Sequence, residues 1–446
     1  MERYDLPDGW EWRELAQVVE IGSEQVNPFR FPDDLFNYLA LENIEQGSGK
    51  VIDFTPTPGK NIKSNKFKFT SKHVLYGKLR PYLRKAFAPD FEGVSATDLL
   101  PLLPDENNLD RKFLVWWLLS PQVIEYVVGK QAGVKMPRLR SNDLAQMPIP
   151  IPVLPEQQRI VAKIGRLFEQ SRVARTALTS VPKLMSQFRR AVLASAFRGE
   201  LVESDPNDEP AVSLLEHIHK AREQSAKKSI ESVDTSDLPE LPIGWVWVRF
   251  EEILSELKNG HFSKAPAFDP PGIPILRISA VRPLSVKLDE LRFFRGDIDD
   301  VSQYELRNSD LLFTRYSGSL NLVGVCGMVR SLNDVMIYPD KLIRARFFEN
   351  TVSPAYLEYY FASALPRNII EDKAKSSAGQ QGISGKDLKD VPVPLPPLGE
   401  QLRIVAKIEA MFAQADIIDQ AASVSLRRAE QVDQSILARA FRGELM

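Results

Sequence analysis

The 446-residue chain contains a single cysteine, Cys326. A disulfide framework is therefore excluded, and a reducing cytoplasm is the expected compartment. Cys326 stands within the apolar run LVGVCGMV. This setting predicts a small, buried strand residue rather than a catalytic thiol.

Long apolar runs are also lacking. The longest, FLVWWLL at 113–119, is much shorter than the roughly 20 residues that cross a bilayer. The N-terminal residues lack a basic segment followed by an apolar core, so no signal peptide is expected. Hydrophobic residues make up 43% and charged residues 26%, which is typical of a globular protein, and the length predicts two to four domains.

Patterns of known catalytic sites are scarce. His217 and His219 stand two residues apart on a predicted helix, and such residues point to different faces rather than to one metal ion. FDPPG at 268–272 resembles the motif with which amino-methyltransferases hold a flipped base, but Gly272 replaces the required aromatic. GSGK at 47–50 lacks the first glycine and the hydroxyl of a phosphate loop. No catalytic residue, metal ligand or bound cofactor is predicted.

The chain contains an internal repeat. LPEQQRIVAKIGRLFEQ at 154–170 matches LGEQLRIVAKIEAMFAQ at 398–414 at eleven of seventeen positions, with an offset of 244 residues. AFRGEL at 196–201 recurs at the same offset. DGWEW at 8–12 and IGWVW at 243–247 are only 235 residues apart, so the second copy has gained nine residues before its helix.

The repeat predicts two α+β domains, each followed by a conserved helical region. Each domain has an aromatic helical stretch, FLVWWLLSP or YLEYYFASALP, and ends in a proline-alternating strap, MPIPIPVLPEQ or VPVPLPPLGEQ. The straps should be extended because proline disfavours helix in the preceding residue. The expected divisions are a first domain at 1–153, its helical region at 154–201, a linker with a short helix (AVSLLEHIHKAREQ) and a mobile polar end (SAKKSIESVDTSD) at 202–240, a second domain at 241–397 and its helical region at 398–446.

The two conserved helices carry matching apolar positions at alternating steps of four and three residues. This spacing predicts a coiled-coil seam, and two matched seams favour pairing of the two helices with each other. The alternative is that each helix packs only on its own domain. We expect Pro182 to break the first helix. The seam residues are Ile160, Ile164, Leu167, Ser171, Ala174 and Leu178 in the first helix and Ile404, Ile408, Met411, Ala415, Ile418 and Ala422 in the second.

The net charge of −2 gives no support to nucleic-acid binding, so any support must come from local charge. The span from Phe54 to Pro89 contains no aspartate or glutamate. It predicts a face that binds DNA phosphates, and the alternative is a solvated basic surface. Its candidate residues are Lys60, Lys63, Lys66, Lys68, Lys72, Lys78, Arg80, Tyr82, Arg84 and Lys85.

Polar loops in the second copy, and one corresponding loop in the first, give weaker candidates. Gln380 and Gln381 can bond adenine, and arginine–guanine contacts are the commonest specific pairing, so Arg138 and Arg315 are expected to govern specificity. The cations of KLIRARF at 341–347 alternate with apolar residues, so a strand could present them on one face to DNA. The candidates in the second copy are Arg315, Tyr316, Ser317, Lys341, Arg344, Gln380 and Gln381, and those in the first are Gln131, Lys135 and Arg138.

The order of these elements resembles the specificity subunit of type I restriction-modification enzymes. The resemblance rests on the GW…W start, the strap, EQ-x-RIVAKI and AFRGEL, all present twice, and it covers nearly the whole chain. It implies two target-recognition domains that read the halves of a split DNA sequence, separated by an antiparallel pair of long helices with approximate twofold symmetry. It also implies that catalysis belongs to partners: two modification subunits that use S-adenosylmethionine, and restriction subunits that use ATP and Mg²⁺, with modification subunits docked on 155–200 and 399–445.

A helix of about 25 residues spans about 37 Å, close to one turn of B-DNA. Half-site centres are therefore expected about 10 base pairs apart, and the unequal domains predict dissimilar half-sites. Two other classes stay open. An enzyme would be active by itself, and an assembly scaffold would not depend on the basic residues.

Overall fold

A computed structural model describes residues 4–130, 137–224, 230, 233–263, 266–377 and 379–445. Packing divides the chain into unit 1, which comprises Met1–Ser180 and Ala421–Met446, and unit 2, which comprises Val181–Gln420. Each unit mixes short strands with helices, so the α+β fold class is confirmed.

Unit 1 contains two four-stranded sheets, one two-stranded sheet formed by the first and last strands, and a strand pair. Its α-helices are α1 (Arg111–Leu118), α2 (Pro121–Gly129), α3 (Ser141–Ala145) and the first part of α4 (Leu154–Ala196). Its strands are β1 (Glu11–Glu14), β2 (Val19–Ile21), β3 (Gln25–Val26), β4 (Leu35–Phe36), β5 (Tyr38–Leu39), β6 (Thr57–Pro58), β7 (Lys66–Phe69), β8 (Val74–Gly77), β9 (Ala86–Phe87), β10 (Gly93–Ser95), β11 (Leu99–Pro104) and β12 (Pro148–Ile151).

Unit 2 repeats this plan. Its α-helices are α5 (Ala211–Gln224), α6 (Phe250–Ile253), α7 (Ile298–Val301), α8 (Pro354–Phe361), α9 (Ala364–Lys373), α10 (Gly385–Lys389) and the first part of α11 (Leu398–Ala440). Its strands are β13 (Val246–Arg249), β14 (Leu254–Asn259), β15 (Ile273–Leu276), β16 (Val281–Arg282), β17 (Ser285–Val286), β18 (Leu291–Phe294), β19 (Leu311–Thr314), β20 (Tyr316–Ser317), β21 (Cys326–Met328), β22 (Leu342–Phe347), β23 (Lys375–Ser377), β24 (Gln380–Gly382) and β25 (Pro392–Leu395).

The internal repeat is visible in the sheets. The sheet β2-β11-β8-β9 of unit 1 has the same order as β14-β22-β19-β21 of unit 2. In both units a helix follows the second strand of this sheet order, β11 or β22, and packs on the sheet. α1 contributes Phe113 and Trp117 to the core of unit 1, and α8 contributes Tyr356 and Tyr360 to that of unit 2. Cys326 lies buried in β21, as predicted.

The proline-alternating straps are extended, as predicted, and each pairs with the tryptophan-containing segment at the start of its copy. In unit 1, β12 pairs with β1 so that Trp12 lies opposite Pro150. In unit 2, β25 pairs with β13 so that Trp247 lies opposite Pro394. Each strap thus carries the chain from its domain directly into a long helix.

The linker forms the predicted short helix. α5 covers AVSLLEHIHKAREQ, and Leu214 and Ile218 are buried in the core of unit 2. The predicted mobile segment SAKKSIESVDTSD includes 225–229, 231 and 232, which lie outside the described residues.

The two long helices pair antiparallel inside each unit, as predicted. In unit 1 the start of α4 and the end of α11 share a core that contains Ile164 and Leu437, and Arg175 pairs with Asp433 further along. In unit 2 the end of α4 and the start of α11 share a core that contains Val192 and Ile408.

The expected break at Pro182 is wrong, because α4 continues through this residue as a single helix of 43 residues. Proline removes one backbone hydrogen bond to the carbonyl four residues earlier. Pro182 is exposed, so water can solvate the freed carbonyl. Val181 and Met185 beside it are partly buried and hold the backbone helical through packing.

The seam follows the prediction at its outer ends and departs from it in the middle. Ile160, Ile164, Ile404 and Ile408 are buried, while Leu167 and Met411 are partly buried.

Ala174 and Ile418, however, are exposed, and the next residues, Arg175 and Asp419, turn towards the partner helix. The buried positions here take two successive steps of four residues. Such a step compensates the drift of a 3.6-residue helix against a 3.5-residue repeat.

Candidate nucleic-acid interface

A short backbone ladder brings together the candidate residues of unit 1. The segment 78–80, which follows β8, pairs with 137–139, which precedes α3. Leu139 N–H donates to the Lys78 carbonyl at 2.9 Å, and Arg80 N–H donates to the Pro137 carbonyl at 2.8 Å. This pairing, here called ladder 1, places Arg138 beside Lys78 and Arg80 although they are about 60 residues apart in sequence.

Unit 2 contains the equivalent arrangement, here called ladder 2. The segment 315–317, which follows β19, pairs with 381–383, which precedes α10. Ile383 N–H donates to the Arg315 carbonyl at 2.9 Å, and Ser317 lies opposite Gln381. Ile383 is the repeat equivalent of Leu139, at the offset of 244 residues.

Ladder 2 gathers most of the second-copy candidates. Arg315 N–H donates to the Lys341 carbonyl at 2.9 Å, and the Arg315 guanidinium lies 4.9 Å from the Tyr316 ring centroid. Gln380 and Lys341 are exposed, and Gln381 is partly exposed. Arg315 and Lys341 thus lie next to the small sheet β20-β24-β23, which carries Tyr316 and the two glutamines.

Backbone strain occurs at the end of ladder 1 and in the turn that follows it. Arg80 and Arg84 both adopt left-handed conformations with φ of 49°, and they flank a 3₁₀ turn at Pro81–Leu83. Non-glycine residues in this region carry a cost of roughly 1–3 kcal/mol and concentrate at functional sites. The turn holds Tyr82 outward, with 43% of its surface exposed.

The basic span of unit 1 does not form a single uniform face. Lys60, Lys63 and Arg80 are exposed and have no carboxylate within ion-pair distance among the described residues. Lys68 pairs with Glu24 at 2.6 Å and Lys72 with Glu106 at 3.3 Å. These exposed pairs leave both lysines able to exchange partners.

Two lysines of the span point inward. Lys66 is only 7% exposed, its Nζ donates to Ser64 Oγ at 2.5 Å, and burial lowers its pKa. Lys85 Nζ donates to the Leu41 carbonyl at 2.6 Å. Including Lys66 among the phosphate contacts was therefore wrong, because its ammonium group is committed inside the unit.

The prediction that Arg344 contacts DNA is also wrong, because this residue is buried. Its side chain is 1% exposed and bonds to Glu256 and to the Glu305 carbonyl. Arg346, two residues on along β22, bonds to Asp310 through two nitrogens, at 2.6 and 2.9 Å. Only Arg344 and Arg346 of KLIRARF share a face of β22, and that face is turned into the unit, whereas Lys341 precedes the strand and is exposed.

Arg84 lies at a cavity of about 1070 Å³ inside unit 1. Lys50 and Lys112 also line this cavity, and neither was singled out from the sequence. Burial lowers the pKa of Arg84, and the nearby Asp433 carboxylate opposes that shift.

The remaining predicted DNA contacts are Gln131, Lys135 and Arg138, and Lys375 is an exposed cation that was not singled out from the sequence. Gln131 and Lys135 lie outside the described residues. Arg138 is about half exposed and lies 3.4 Å from Asp98. Lys375 belongs to the same sheet as Gln381 and is exposed. It is the cation of the loop KSSAGQQGIS, so a search of that loop for positive charge would have added it to the candidates.

The described residues contain no group of three or more His, Cys, Asp or Glu side chains that could hold a metal ion. His219 lies 3.5 Å from Glu252, and His217 lies 3.8 Å from Glu209. No helix in the described ranges is long and apolar enough to span a membrane.

Comparison with known proteins identifies the family. The model of the type I restriction modification DNA specificity domain matches twice, at residues 7–181 and 242–423. The EcoKI specificity subunit of Escherichia coli is 32% identical, with 99% of this chain and 90% of that protein covered. The StySPI specificity subunit of Salmonella potsdam is 26% identical, with 100% and 91% covered. An HsdS subunit from Thermoanaerobacter tengcongensis shares the fold, with a TM-score of 0.65, 23% identity and coverage of 99% and 98%. The chain therefore belongs to the family of type I restriction-modification specificity subunits.

Proposed function

We propose that this chain reads a split, asymmetric DNA sequence, one half with each unit, and that it carries no catalytic site itself. This proposal rests mainly on the equivalence of ladders 1 and 2. In both units the segment after β8 or β19 pairs with the segment before a short helix, α3 or α10, and both segments present cationic or amide side chains.

The side chains of the ladders suit base and phosphate recognition. Arginine can bond guanine through two donors, and glutamine can bond adenine through a donor and an acceptor. Ladder 1 offers Lys78, Arg80 and Arg138, whereas ladder 2 offers Arg315 and Gln381. Since the two sets differ, the two half-sites should differ in sequence.

The spacing between half-sites is proposed to follow the length of the paired helices. Along α4, Phe168 packs on the core of unit 1 and Phe188 on that of unit 2. The intervening run of about 20 residues is about 30 Å long, which is close to one turn of B-DNA. This length supports half-sites whose centres lie about 10 base pairs apart.

The helices are also the proposed docking surface for two modification subunits. Ala162 and Lys163 are exposed and recur as the exposed Ala406 and Lys407. Identical exposed residues are not required by packing, so an identical partner at both copies accounts for them. The partners would supply S-adenosylmethionine-dependent methylation, and restriction subunits would use ATP and Mg²⁺. All would act in the cytoplasm, with the DNA.

Selection from a pool of duplexes with random interiors tests DNA reading by the full-length chain. We expect enrichment of two short, dissimilar blocks separated by an unspecified spacer. The K78A/R80A variant should lose affinity and part of its salt dependence, whereas Lys220→Ala, at an exposed position on α5, should not.

The same experiment addresses the alternatives. A scaffold would give no enrichment, or enrichment that K78A/R80A leaves unchanged. An enzyme would methylate or cleave DNA by itself when given S-adenosylmethionine or Mg²⁺, and either activity would contradict the proposal.

A further inference from the structure

Among the described residues three ion pairs join α4 and α11, and two of them, Arg175–Asp433 and Arg189–Asp419, are related by the internal repeat. In unit 1, Arg175 Nη1 lies 2.9 Å from Asp433 Oδ2. In unit 2, Arg189 Nη2 lies 3.0 Å from Asp419 Oδ2, and it also lies 2.5 Å from Oδ1 of Asp416, whose side chain is 74% exposed. At the repeat offset of 244 residues, Arg175 aligns with Asp419 and Arg189 with Asp433. Each arginine therefore pairs with the residue that aligns with the other arginine.

These charges lie in the seam between the helices. The exposed fraction of the side chain is 9% for Asp433, 32% for Arg175, 25% for Arg189 and 30% for Asp419. One carboxylate oxygen of each aspartate is buried and has no hydrogen-bond partner among the described residues. Removing or inverting a partner would leave charge that water solvates poorly, and such losses are larger than at exposed pairs.

The apolar part of the seam does not distinguish the two helices. Ile160 and Ile164 recur as Ile404 and Ile408, so the same apolar contacts could form between a helix and its equivalent in a second copy. The charged seam positions do distinguish the helices, because α4 carries arginines where α11 carries aspartates.

The register of the ion pairs shows what a wrong partner would bring. If a second α4 replaced α11 in unit 1, Arg189 would take the place of Asp433 and face Arg175. If a second α11 replaced α4 in unit 2, Asp433 would take the place of Arg189 and face Asp419. Either pairing would place like charges together in the seam without a counter-charge.

We propose that the two repeat-related Arg–Asp pairs select α11 of the same chain as the partner of α4 and exclude the equivalent helix of a second copy. The apolar seam supplies the attraction, and the charges decide between partners, as polar and charged positions do in coiled coils. This selection does not depend on whether the chain reads DNA.

Full-length charge variants test the proposal. R175D/R189D gives both helices aspartates, and D419R/D433R gives both helices arginines. In each variant, like charges oppose pairing of α4 with α11 of the same chain. Between the two variants, the charges are opposite and favour pairing of α4 of one chain with α11 of the other. Co-expressed with different tags, they should form a 1:1 heterodimer in light scattering, whereas wild type stays at the monomer mass of 50.4 kDa. Monomeric variants that form no heterodimer would overturn the proposal.

The quadruple variant R175D/R189D/D419R/D433R keeps the test valid if the double variants fold poorly alone. It reverses both repeat-related pairs and leaves Asp416, which is 74% exposed, as a like charge beside position 189. Because water screens that exposed contact, the quadruple variant should be monomeric and melt within a few degrees of wild type. Each double variant should melt at least about 5 °C lower. A quadruple variant no more stable than the double variants would also contradict the proposal. Arg172→Asp is the matched control, because Arg172 is half exposed and its ion pair in the described part of the chain lies within its own helix, with Glu169.

Discussion

Gln157 Oε1 accepts a hydrogen bond from the Asp110 backbone N–H at 2.7 Å, and Gln157 Nε2 donates to the Pro152 carbonyl at 2.8 Å. Asp110 caps α1 and Pro152 ends the strap, so one buried side chain joins the long helix to both. Gln401 repeats this in unit 2, with the N–H of Ser353 and the Pro396 carbonyl as its partners. The glutamine of each EQ motif thus anchors a domain to its helix.

Replacement of Gln157 by alanine should lower the free energy of unfolding by about 2–3 kcal/mol, since it leaves buried backbone groups without partners. Urea unfolding of the full-length chain measures this loss. Gln158→Ala is the matched control, because Gln158 is exposed and should change stability by less than about 0.5 kcal/mol. Equal effects of the two substitutions would contradict the anchoring role.

Pro182→Ala should raise the free energy of unfolding by about 1–3 kcal/mol, because it restores a helical hydrogen bond at an exposed position. Gly165→Ala in the same helix provides a comparison. A Cβ at Gly165 meets no atom within 4 Å, and the gain expected from helix propensity is about 0.5–1 kcal/mol. Thermal and urea unfolding measure both gains. A loss of stability in Pro182→Ala would show that the helix is not continuous there.

Arg344→Gln should reduce stability by about 2–3 kcal/mol, because it leaves Glu256 without its buried partner. This figure allows for the partial exposure of Glu256. The exposed neighbour Lys341 is the control, and Lys341→Gln should leave unfolding unchanged. For DNA affinity of folded protein the order should reverse, since only Lys341 can reach a phosphate. A stable Arg344→Gln variant with weakened DNA binding would restore Arg344 as a contact.

Burial raises the pKa of the Cys326 thiol well above its usual range. The thiol should therefore resist Ellman's reagent at pH 8 in the folded chain and react fully after unfolding in guanidinium. The folded state holds this proton more tightly than the unfolded state. Its contribution to stability is complete below the unfolded pKa, near 8.5, and is lost as the pH rises above it. Cys326→Ala should remove that part of the pH dependence. Rapid labelling of the folded protein would contradict the burial.

The sequence predicted most of the architecture, because repeated motifs specify repeated elements. The straps, the paired helices and the buried isoleucines of the seam follow from local patterns of proline and apolar spacing. Pro182 was misjudged because local propensity ignores the packing of neighbouring residues on a partner helix. Arg175 and Asp419 were missed because a strict heptad excludes charged side chains from a seam.

The site was harder to predict than the fold. The span from Phe54 to Pro89 includes Lys78 and Arg80 of ladder 1, which stay predicted contacts, but net charge along a segment does not reveal which side chains point inward. Lys66 lies at the buried start of β7, and Arg344 lies in a run of four buried residues of β22. Such burial depends on which strands pair and on what packs over them, which a charge pattern does not show. Arg138 joins Lys78 only through a ladder between distant segments.

The most direct test of the account is selection from the duplex pool with full-length variants that alter one ladder at a time. Arg138→Ala should relax base preference in one block of the selected sequence, and Arg315→Ala or Gln381→Ala should relax it only in the other block. A good bidentate contact gives about 1–3 kcal/mol of discrimination, so the loss should reach roughly ten-fold at the affected position. Changes in both blocks, or in neither, would contradict the assignment of one half-site to each unit.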